Sequence, residues 1–234
     1  FKEDLTPPYV YKPLYIAAPI IAVVCALTSI AVVPVGNWVT VAGVTTPLQI
    51  TDVNIGLLII LGITSIGVYG VALSGWASNS KYSLLGGLRA SAQMISYEIA
   101  LGLSLVGVLI LSGTFSLRGI VDAQAGHFWG FIPNWNIFRG CQFVAFFIYL
   151  MAAYAETNRI PFDLPEAETE LVAGYHTDYS AMKFAMFFMA EYANMITVAC
   201  IASLLFLGGW HGPLFGPPIL QAILPVLWFV LRVV

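Results

Sequence analysis

Long apolar runs dominate this chain and constrain its fold more than any other feature. An α-helix needs roughly 20 apolar residues to cross about 30 Å of hydrocarbon. Runs of this kind lie at residues 16–35, 54–75, 88–112, 138–155, 181–207 and 217–234. The chain is 59% hydrophobic and 9% charged, whereas soluble domains carry about 25% charged residues. The sequence therefore predicts an all-α polytopic membrane helix bundle, a single membrane domain over residues 1–234 with about six transmembrane helices.

The basic residues predict which side of the membrane each connection faces, because Lys and Arg are retained on the cytoplasmic or matrix side. If the spans alternate, one side has Lys2, Lys12, Lys81, Arg89, Arg159, Lys183 and Arg232. The other side has Arg118 and Arg139. Connections 1–15, 76–87 and 156–180 are therefore predicted to face the inside, and 36–53, 113–137 and 208–216 the outside.

The inner loop at residues 156–180 is strongly acidic. It contains Glu156, Asp163, Glu166, Glu168, Glu170 and Asp178. Carboxylates at this density do not enter hydrocarbon unpaired, because their desolvation costs several kcal/mol. The only base in the loop is Arg159, whose guanidinium is expected to pair with Asp163, Glu166 or Glu168. Apolar residues such as Phe162 indicate a structured loop, with a short helix from about Pro165 to Ala173.

Two further carboxylates lie inside predicted spans. Glu98 is about ten residues into the third span and Glu191 about ten residues into the fifth. At 1.5 Å per residue both lie about 15 Å deep, near the middle of the membrane. Each has a neighbouring tyrosine, Tyr97 or Tyr192. Two interpretations stay open: an intramembrane proton relay, or structural carboxylates that pair with a hydroxyl or a lysine.

Composition and missing motifs exclude several classes of function. The net charge of −3 provides no basic surface for nucleic acid. The three histidines fall in predicted loops, so no pair within the spans is available to hold haem. The chain has neither a phosphate-binding glycine loop nor a spaced metal-binding cluster. We therefore expect this chain to bind no metal, haem, flavin or nucleotide.

Three long segments carry a family resemblance. They are GWASNSKYSLLGGLRASAQMISYEIA at 75–100, ETNRIPFDLPEAETELVAGYHTDYS at 156–180 and FAMFFMAEYANM at 184–195. In order and spacing they resemble the motifs of the membrane subunit designated 1 or H in respiratory complex I, the NADH:quinone oxidoreductase. The resemblance covers essentially the whole chain and implies a fragment that lacks the first and last transmembrane helices of that family. Asp178 departs from the pattern, because the family commonly has Glu there.

The resemblance implies a subunit that is not catalytic alone but lines the quinone chamber of a proton-pumping enzyme. It assigns Arg159, Phe162, Asp163, Glu166 and Glu168 to the chamber, and Glu98, Glu156, Glu170 and Glu191 to a proton path. Lys81, Arg89 and Asp178 are implied as supporting residues. The substrate is a quinone, either ubiquinone or menaquinone. The implied partners are the soluble iron–sulfur and quinone-site subunits, the neighbouring antiporter-like membrane subunits and membrane lipid.

Alternatives remain at this stage. Related membrane-bound hydrogenase or formate-oxidising complexes contain an ion-translocating or anchoring subunit that uses no quinone. The intact run PFDLPEAETELVAGY at 161–175 resembles the quinone-reducing branch more closely. The inner loop is also compatible with a docking surface for soluble subunits. We expect a bacterial plasma membrane protein, with the mitochondrial inner membrane as the alternative.

Overall fold

Helices account for most of the chain. The computed structural model describes residues 6–41, 44–128, 132–163, 174–213 and 218–234. The helices in these ranges are α1 (Lys12–Val32), α2 (Gly56–Ala77), α3 (Lys81–Ser112), α4 (Leu117–Asp122), α5 (Gln142–Glu156), α6 (Ala181–Phe206) and α7 (Pro218–Val233). The prediction of an all-α membrane bundle is confirmed.

Short strands occur in two connections, where the sequence analysis predicted none. Strand β1 (Trp38–Val41) pairs antiparallel with β2 (Val44–Pro47), and β3 (His127–Phe128) pairs antiparallel with β4 (Ile132–Pro133). The first hairpin is rich in valine and threonine, whose branched side chains favour extended backbone. These hairpins are too small to change the fold class.

Helix length separates the apolar helices into two groups. Helices α1, α2, α3 and α6 are long and apolar enough to cross a membrane, whereas α5 and α7 are apolar but shorter. All six overlap the runs at which the sequence predicts spans. Helix α3 begins at Lys81 rather than near residue 88 and so includes the polar segment before the apolar run. The exact spans across the membrane stay a prediction.

The chain divides into two compact units. Unit 1 contains residues 1–29, 61–101 and 151–195, and unit 2 contains residues 30–60, 102–150 and 196–234. The boundaries fall within α1, α2, α3, α5 and α6. Each unit has its own buried apolar residues, such as Tyr15 and Tyr149, which are fully inaccessible. The two units are therefore described separately.

In unit 1, glycines allow close backbone contacts. A Cβ atom added to Gly70 of α2 would lie 3.0 Å from the carbonyl oxygen of Ala18 and 3.1 Å from the amide nitrogen of Ala22. Small residues permit this approach between α1 and α2. A Cβ added to Gly86 of α3 would lie 2.6 Å from the Cα of Gly174. The end of the inner loop therefore packs directly against the first turns of α3.

In unit 2, a buried amide network joins the end of α6 to its neighbours. The Gln124 side chain donates to the carbonyl of Leu204 at 2.8 Å and accepts from the backbone N–H groups of Asn136 and Gly208, both at 3.1 Å. The Asn136 amide donates to the carbonyl of Leu205 at 2.8 Å. These bonds satisfy carbonyls at the helix end that have no partner within the helix.

The contacts of Arg232 differ from the prediction that counted this residue on the inner side of the membrane. Its guanidinium donates to the carbonyls of Gly209 and His211 and lies 4.6 Å from the ring centroid of Trp135. Arg232 therefore lies beside the predicted outer connection and not at the inner face. The physical reason is the local pairing, since the guanidinium finds two backbone carbonyls and an aromatic ring at these residues.

The predicted orientation can be tested with accessible cysteines. In a background in which the exposed Cys141 is replaced by serine, we introduce Tyr82→Cys for the inside and Thr51→Cys for the outside, since both native side chains are exposed. An impermeant thiol reagent should label position 82 only from the cytoplasmic side and position 51 only from the opposite side. Labelling of position 82 from outside contradicts the arrangement.

The contact between Gly86 and Gly174 should limit stability. Gly86→Ala forces a methyl group against backbone and should destabilise the protein by about 1–3 kcal/mol, as overpacking does. Its thermal unfolding temperature should fall. Gly102→Ala on the same helix is the matched control, because a Cβ there meets nothing within 4 Å. Equal unfolding temperatures for the two variants would show that the contact carries no strain.

Candidate functional site

Three glutamates of unit 1 form what we call the acid cluster: Glu98, Glu156 and Glu191. Glu98 lies on α3, and its carboxylate accepts a short hydrogen bond from the hydroxyl of Ser65 on α2. The same hydroxyl lies 2.9 Å from the carbonyl oxygen of Leu61. A hydroxyl has one proton and two lone pairs, so it donates to only one of these oxygens at a time. Ser65 therefore links the carboxylate of Glu98 to the backbone of α2.

Glu156 is the last residue of α5 and interacts electrostatically with Glu98. Two neighbouring carboxylates repel each other when both are ionised. The repulsion is stronger where little water surrounds them. Their proximity was not evident from the sequence, because the prediction paired Glu98 with Glu191 by depth and placed Glu156 in the inner loop. The structure instead places Glu156 at the end of α5 and brings it near Glu98 of α3.

Glu156 and Glu191 line one small cavity. Its volume is about 30 Å³, which is enough for one or two water molecules. Asn158 and Asn194 provide further polar groups in the lining, and Phe187 provides an apolar one. A cavity that is both polar and large enough for water can hold a hydrogen-bonded water between two acids.

Residues 157–163 follow α5 directly. We call them the chamber turn, after the quinone chamber to which the family resemblance assigns Arg159, Phe162 and Asp163. Asn158 has a φ of 48°, a left-handed conformation that asparagine tolerates better than most residues. The ring of Phe162 lies edge to face with Tyr97 of α3, with 5.5 Å between centroids. The amide of Gln93, also on α3, donates to the carbonyls of Ala155 at 2.9 Å and Phe162 at 2.8 Å.

Arg159 does not form the predicted ion pair with Asp163. Its Nε lies 3.2 Å from the sulfur of Met195, and its guanidinium lies 4.9 Å from the ring centroid of Tyr192. Within the described ranges, no carboxylate pairs with Arg159. The correction has a physical reason: Met195 and Tyr192 lie about one helical turn apart on α6 and present one surface to the guanidinium.

Polar atoms of the chamber turn are left without protein partners. Among the described residues, Nη2 of Arg159 and Oδ1 of Asp163 are buried and have no hydrogen-bond partner. Buried polar atoms are satisfied in most proteins, so each exception calls for an explanation such as a ligand or a water molecule. The turn therefore presents one unused donor and one unused acceptor.

Asp178 lies in a separate group at the end of the inner loop. Its carboxylate accepts from the hydroxyl of Tyr9 at 3.0 Å, and its backbone carbonyl accepts from the hydroxyl of Tyr15 at 2.6 Å. The rings of Tyr15 and Tyr179 stack at 4.2 Å, and the ammonium of Lys183 lies 5.3 Å from the Tyr15 centroid. Asp178 thus joins the loop end to the segment before α1.

His176 is close to this group but differs in chemistry. It is buried, and its ring contacts Phe184, Phe188 and Tyr175 at centroid distances of 5.3, 5.8 and 4.9 Å. Burial among these rings lowers the pKa of His176 to about 4. The imidazole is therefore neutral near pH 7 and serves as a packing group at that pH.

Some predicted site residues are not placed with the acid cluster. Glu166, Glu168 and Glu170, together with the predicted short helix from Pro165 to Ala173, lie outside the described residues. Lys81 and Arg89 are exposed at the beginning of α3. Within the described ranges Lys81 forms no ion pair, so its predicted role of neutralising the acids stays a prediction.

Sequence reasoning missed several residues that contact the candidate site. Ser65 and Gln93 hold members of the site by hydrogen bonds, and Asn194 lines the cavity. For two of them a weak signal existed. Gln93 lies five residues before Glu98 on α3, and Asn194 lies three residues after Glu191 on α6. Residues at these spacings share or adjoin a helix face.

The fold and the site define a polytopic helical membrane protein with acids gathered between its helices. Comparison with known proteins identifies the family. The model of the NADH dehydrogenase family matches residues 1–234, and the chain belongs to this family. The sequence resemblance to the 1/H branch of complex I membrane subunits is thereby confirmed.

Relatives support the same family, and each is named as an H-type subunit of an NADH-quinone oxidoreductase. The second such subunit of Koribacter versatilis is 72% identical over 99% of this chain and 68% of its own length. The first such subunit of Solibacter usitatus is 61% identical over 91% of this chain and 53% of its own length. That of Geobacter sulfurreducens, also the first, is 53% identical over 93% of this chain and 63% of its own length. The chain therefore spans about half to two thirds of these relatives.

Proposed function

We propose that the chain is the quinone-chamber membrane subunit of a proton-pumping NADH:quinone oxidoreductase. In this proposal the chamber turn contributes to the quinone site and the acid cluster begins the proton path. The observation that carries the proposal is the meeting of Glu98, Glu156 and Glu191 beside the chamber turn, within unit 1. The names of the relatives support it, since each is a subunit of an NADH-quinone oxidoreductase.

Proton transfer through the acid cluster is supported by its polar links. Ser65 is hydrogen-bonded to Glu98, Glu98 interacts electrostatically with Glu156, and Glu156 shares a cavity with Glu191. A proton moves between carboxylates only through groups that are within hydrogen-bond reach or joined by one water. The cavity of about 30 Å³ offers room for such a water. Glu170 is not among the described residues and keeps its proposed role from the family resemblance alone.

Quinone binding is supported by the chemistry of the chamber turn. The two carbonyl oxygens of a quinone accept hydrogen bonds, and a guanidinium N–H such as Nη2 of Arg159 is an available donor. Asp163 provides an acceptor for the hydroxyl of the reduced form. The pair of Phe162 and Tyr97 offers an aromatic surface for the flat ring. Glu166 and Glu168 are included in the chamber by the family resemblance.

Reduction of a quinone to a quinol consumes two electrons and two protons. In the proposal, the electrons come from an iron–sulfur subunit that docks on the inner face, and the protons reach the quinone through acidic groups. Neighbouring antiporter-like subunits continue the path. The bacterial sources of the relatives favour a bacterial plasma membrane. Asp178, Lys81 and Arg89 are proposed to support the loop rather than to contact the quinone.

The acid cluster should be required for coupling. Glu98→Gln and Glu191→Gln keep the shape of the side chain but remove its titratable group. Because a positioned acid or base contributes about 10²–10⁴-fold to proton transfer, proton translocation should fall at least about tenfold while the complex still assembles. The measurement is the ratio of protons moved to NADH oxidised in sealed vesicles that contain the full-length complex.

Asp52→Asn is the matched control for these variants. It makes the same chemical change at an exposed acid of unit 2 and should leave the ratio unchanged. Normal ratios in assembled Glu98→Gln and Glu191→Gln complexes would reject the relay and leave the structural interpretation of both glutamates.

Arg159 should be required for quinone reduction. Arg159→Lys keeps the charge but loses the planar guanidinium that contacts Tyr192 and offers Nη2. Cation–π contacts contribute about 0.5–2 kcal/mol, so quinone affinity should fall by roughly two- to thirtyfold. Oxidation of NADH by a hydrophilic acceptor should persist, because it needs only the soluble subunits. Affinity for quinone-site inhibitors should fall in parallel.

Arg118→Lys is the control for the guanidinium. Arg118 lies in unit 2, 4.9 Å from the ring centroid of Trp38, in a comparable cation–π contact. Its substitution should leave quinone affinity unchanged. If Arg159→Lys and Asp163→Asn also left quinone reduction and inhibitor binding unchanged in assembled complexes, the chamber assignment would be wrong and the loop would be better described as a docking surface.

A further inference from the structure

The side-chain amide of Gln93 is hydrogen-bonded both to the end of α5 and to the chamber turn. Nε2 of Gln93 lies 2.9 Å from the carbonyl oxygen of Ala155, 3.3 Å from Oδ1 of Asn158 and 2.8 Å from the carbonyl oxygen of Phe162. These acceptors reach from the last turn of α5 into the chamber turn. An amide nitrogen has two protons, so its three contacts share two donors.

The acceptors lie at the end of α5 and in the chamber turn. The last carbonyls of a helix have no partner within the helix. The carbonyl of Ala155, the penultimate residue of α5, accepts a long bond of 3.4 Å from the backbone amide of Asn158 and a shorter one of 2.9 Å from Gln93. Asn158 has left-handed backbone, which its neighbours must stabilise. The carbonyl of Phe162 directly precedes Asp163, whose Oδ1 has no partner among the described residues. Gln93 therefore satisfies the backbone at both ends of the segment that carries Glu156 and Arg159.

The same face of α3 makes a second contact with this segment. Tyr97 is one turn beyond Gln93 and packs edge to face on Phe162, and Glu98 follows Tyr97 directly. Helix α3 thus presents a donor, an aromatic ring and a carboxylate to one stretch of chain. On the other side of that stretch, Arg159 contacts α6 through Tyr192, the residue next to Glu191.

We propose that Gln93 is a positioning residue that holds Glu156 and the chamber turn in fixed register with Glu98. It acts through the carbonyls of Ala155 and Phe162 and has no contact with the quinone in this proposal. Its effect on quinone binding rests on the proposed function, whereas its effect on the order of the turn does not. These two consequences are measured separately.

The first measurement is hydrogen exchange of residues 157–163 in the full-length complex. The amides of Arg159 and Phe162 are hydrogen-bonded to the carbonyls of Tyr154 at 3.2 Å and Arg159 at 2.7 Å, so their exchange reports opening of the turn. Gln93→Met keeps the length and volume of the side chain but removes both donors. Exchange at these amides should become on the order of tenfold faster. A role in packing alone predicts no change, because Met fills the same space.

The second measurement is the balance between quinone affinity and turnover. In Gln93→Met, the apparent KM for quinone and the inhibition constant of a quinone-site inhibitor should rise roughly threefold or more. NADH oxidation by a hydrophilic acceptor should be unchanged. Faster exchange with unchanged quinone affinity would support the positioning role and reject the chamber assignment of the turn. Unchanged exchange would overturn the positioning role, whatever the turn does.

Gln124→Met provides a matched control. Gln124 is a buried glutamine of unit 2 that also donates to a helix carbonyl, that of Leu204. This variant should speed exchange near residues 205–208 and leave residues 157–163 and quinone affinity unchanged. Equal loosening of residues 157–163 by both variants would overturn the proposal in favour of general destabilisation.

A second substitution at Gln93 tests the proposal if the complex with Gln93→Met does not assemble. Gln93→Asn keeps the amide but shortens its reach by one methylene group, so the bonds to the carbonyls of Ala155 and Phe162 should be lost. Exchange of the Phe162 amide should again be faster than in the unmodified complex. Unchanged exchange in this variant would equally overturn the proposal.

Discussion

The cost of placing carboxylates among apolar helices is the constraint on which this structure depends. Burying an isolated ionised carboxylate away from water costs several kcal/mol or more of free energy. Each acid therefore needs polar groups as neighbours. Unit 1 meets this need locally: a hydroxyl from α2 reaches Glu98, and Glu156 and Glu191 line a small cavity together with two asparagines. Because these partners come from different helices, the acids are tolerated only while the helices keep their relative positions.

That dependence explains why backbone contacts within unit 1 are so close. Gly70 brings the backbone of α2 against α1, and Gly86 brings α3 against Gly174 at the end of the inner loop. Gln93 then ties the end of α5 and the chamber turn to α3. Rigid positioning of this kind favours proton transfer and ligand binding, since both lose efficiency when groups shift by about 1 Å.

The helices and the intramembrane acids were predictable, because apolar runs and isolated charges are properties of single segments. The partners were not, because they depend on which segments meet. Arg159 illustrates the difference: its charge suggested a carboxylate partner, yet it does not pair with Asp163 and contacts Met195 and Tyr192, while Glu166 and Glu168 lie outside the described residues. Arg232 was placed inside by alternation, but its bonds to the carbonyls of residues 209 and 211 place it with the outer connection. The hairpin at Trp38–Pro47 was missed because so few residues carry its signal.

Among the described residues Arg159 pairs with no carboxylate, and this leaves the guanidinium available to a ligand of the proposed chamber. A guanidinium that already held two carboxylates would have little left to offer a quinone carbonyl. Here aromatic and sulfur contacts orient the group and leave Nη2 free of protein partners within the described residues. A bound quinone would complete its hydrogen bonding, and the same guanidinium packs on α6 at the residue next to Glu191. In the proposed function, changes in that bond during reduction would act on a group that adjoins the acid cluster and would so link quinone chemistry to proton movement.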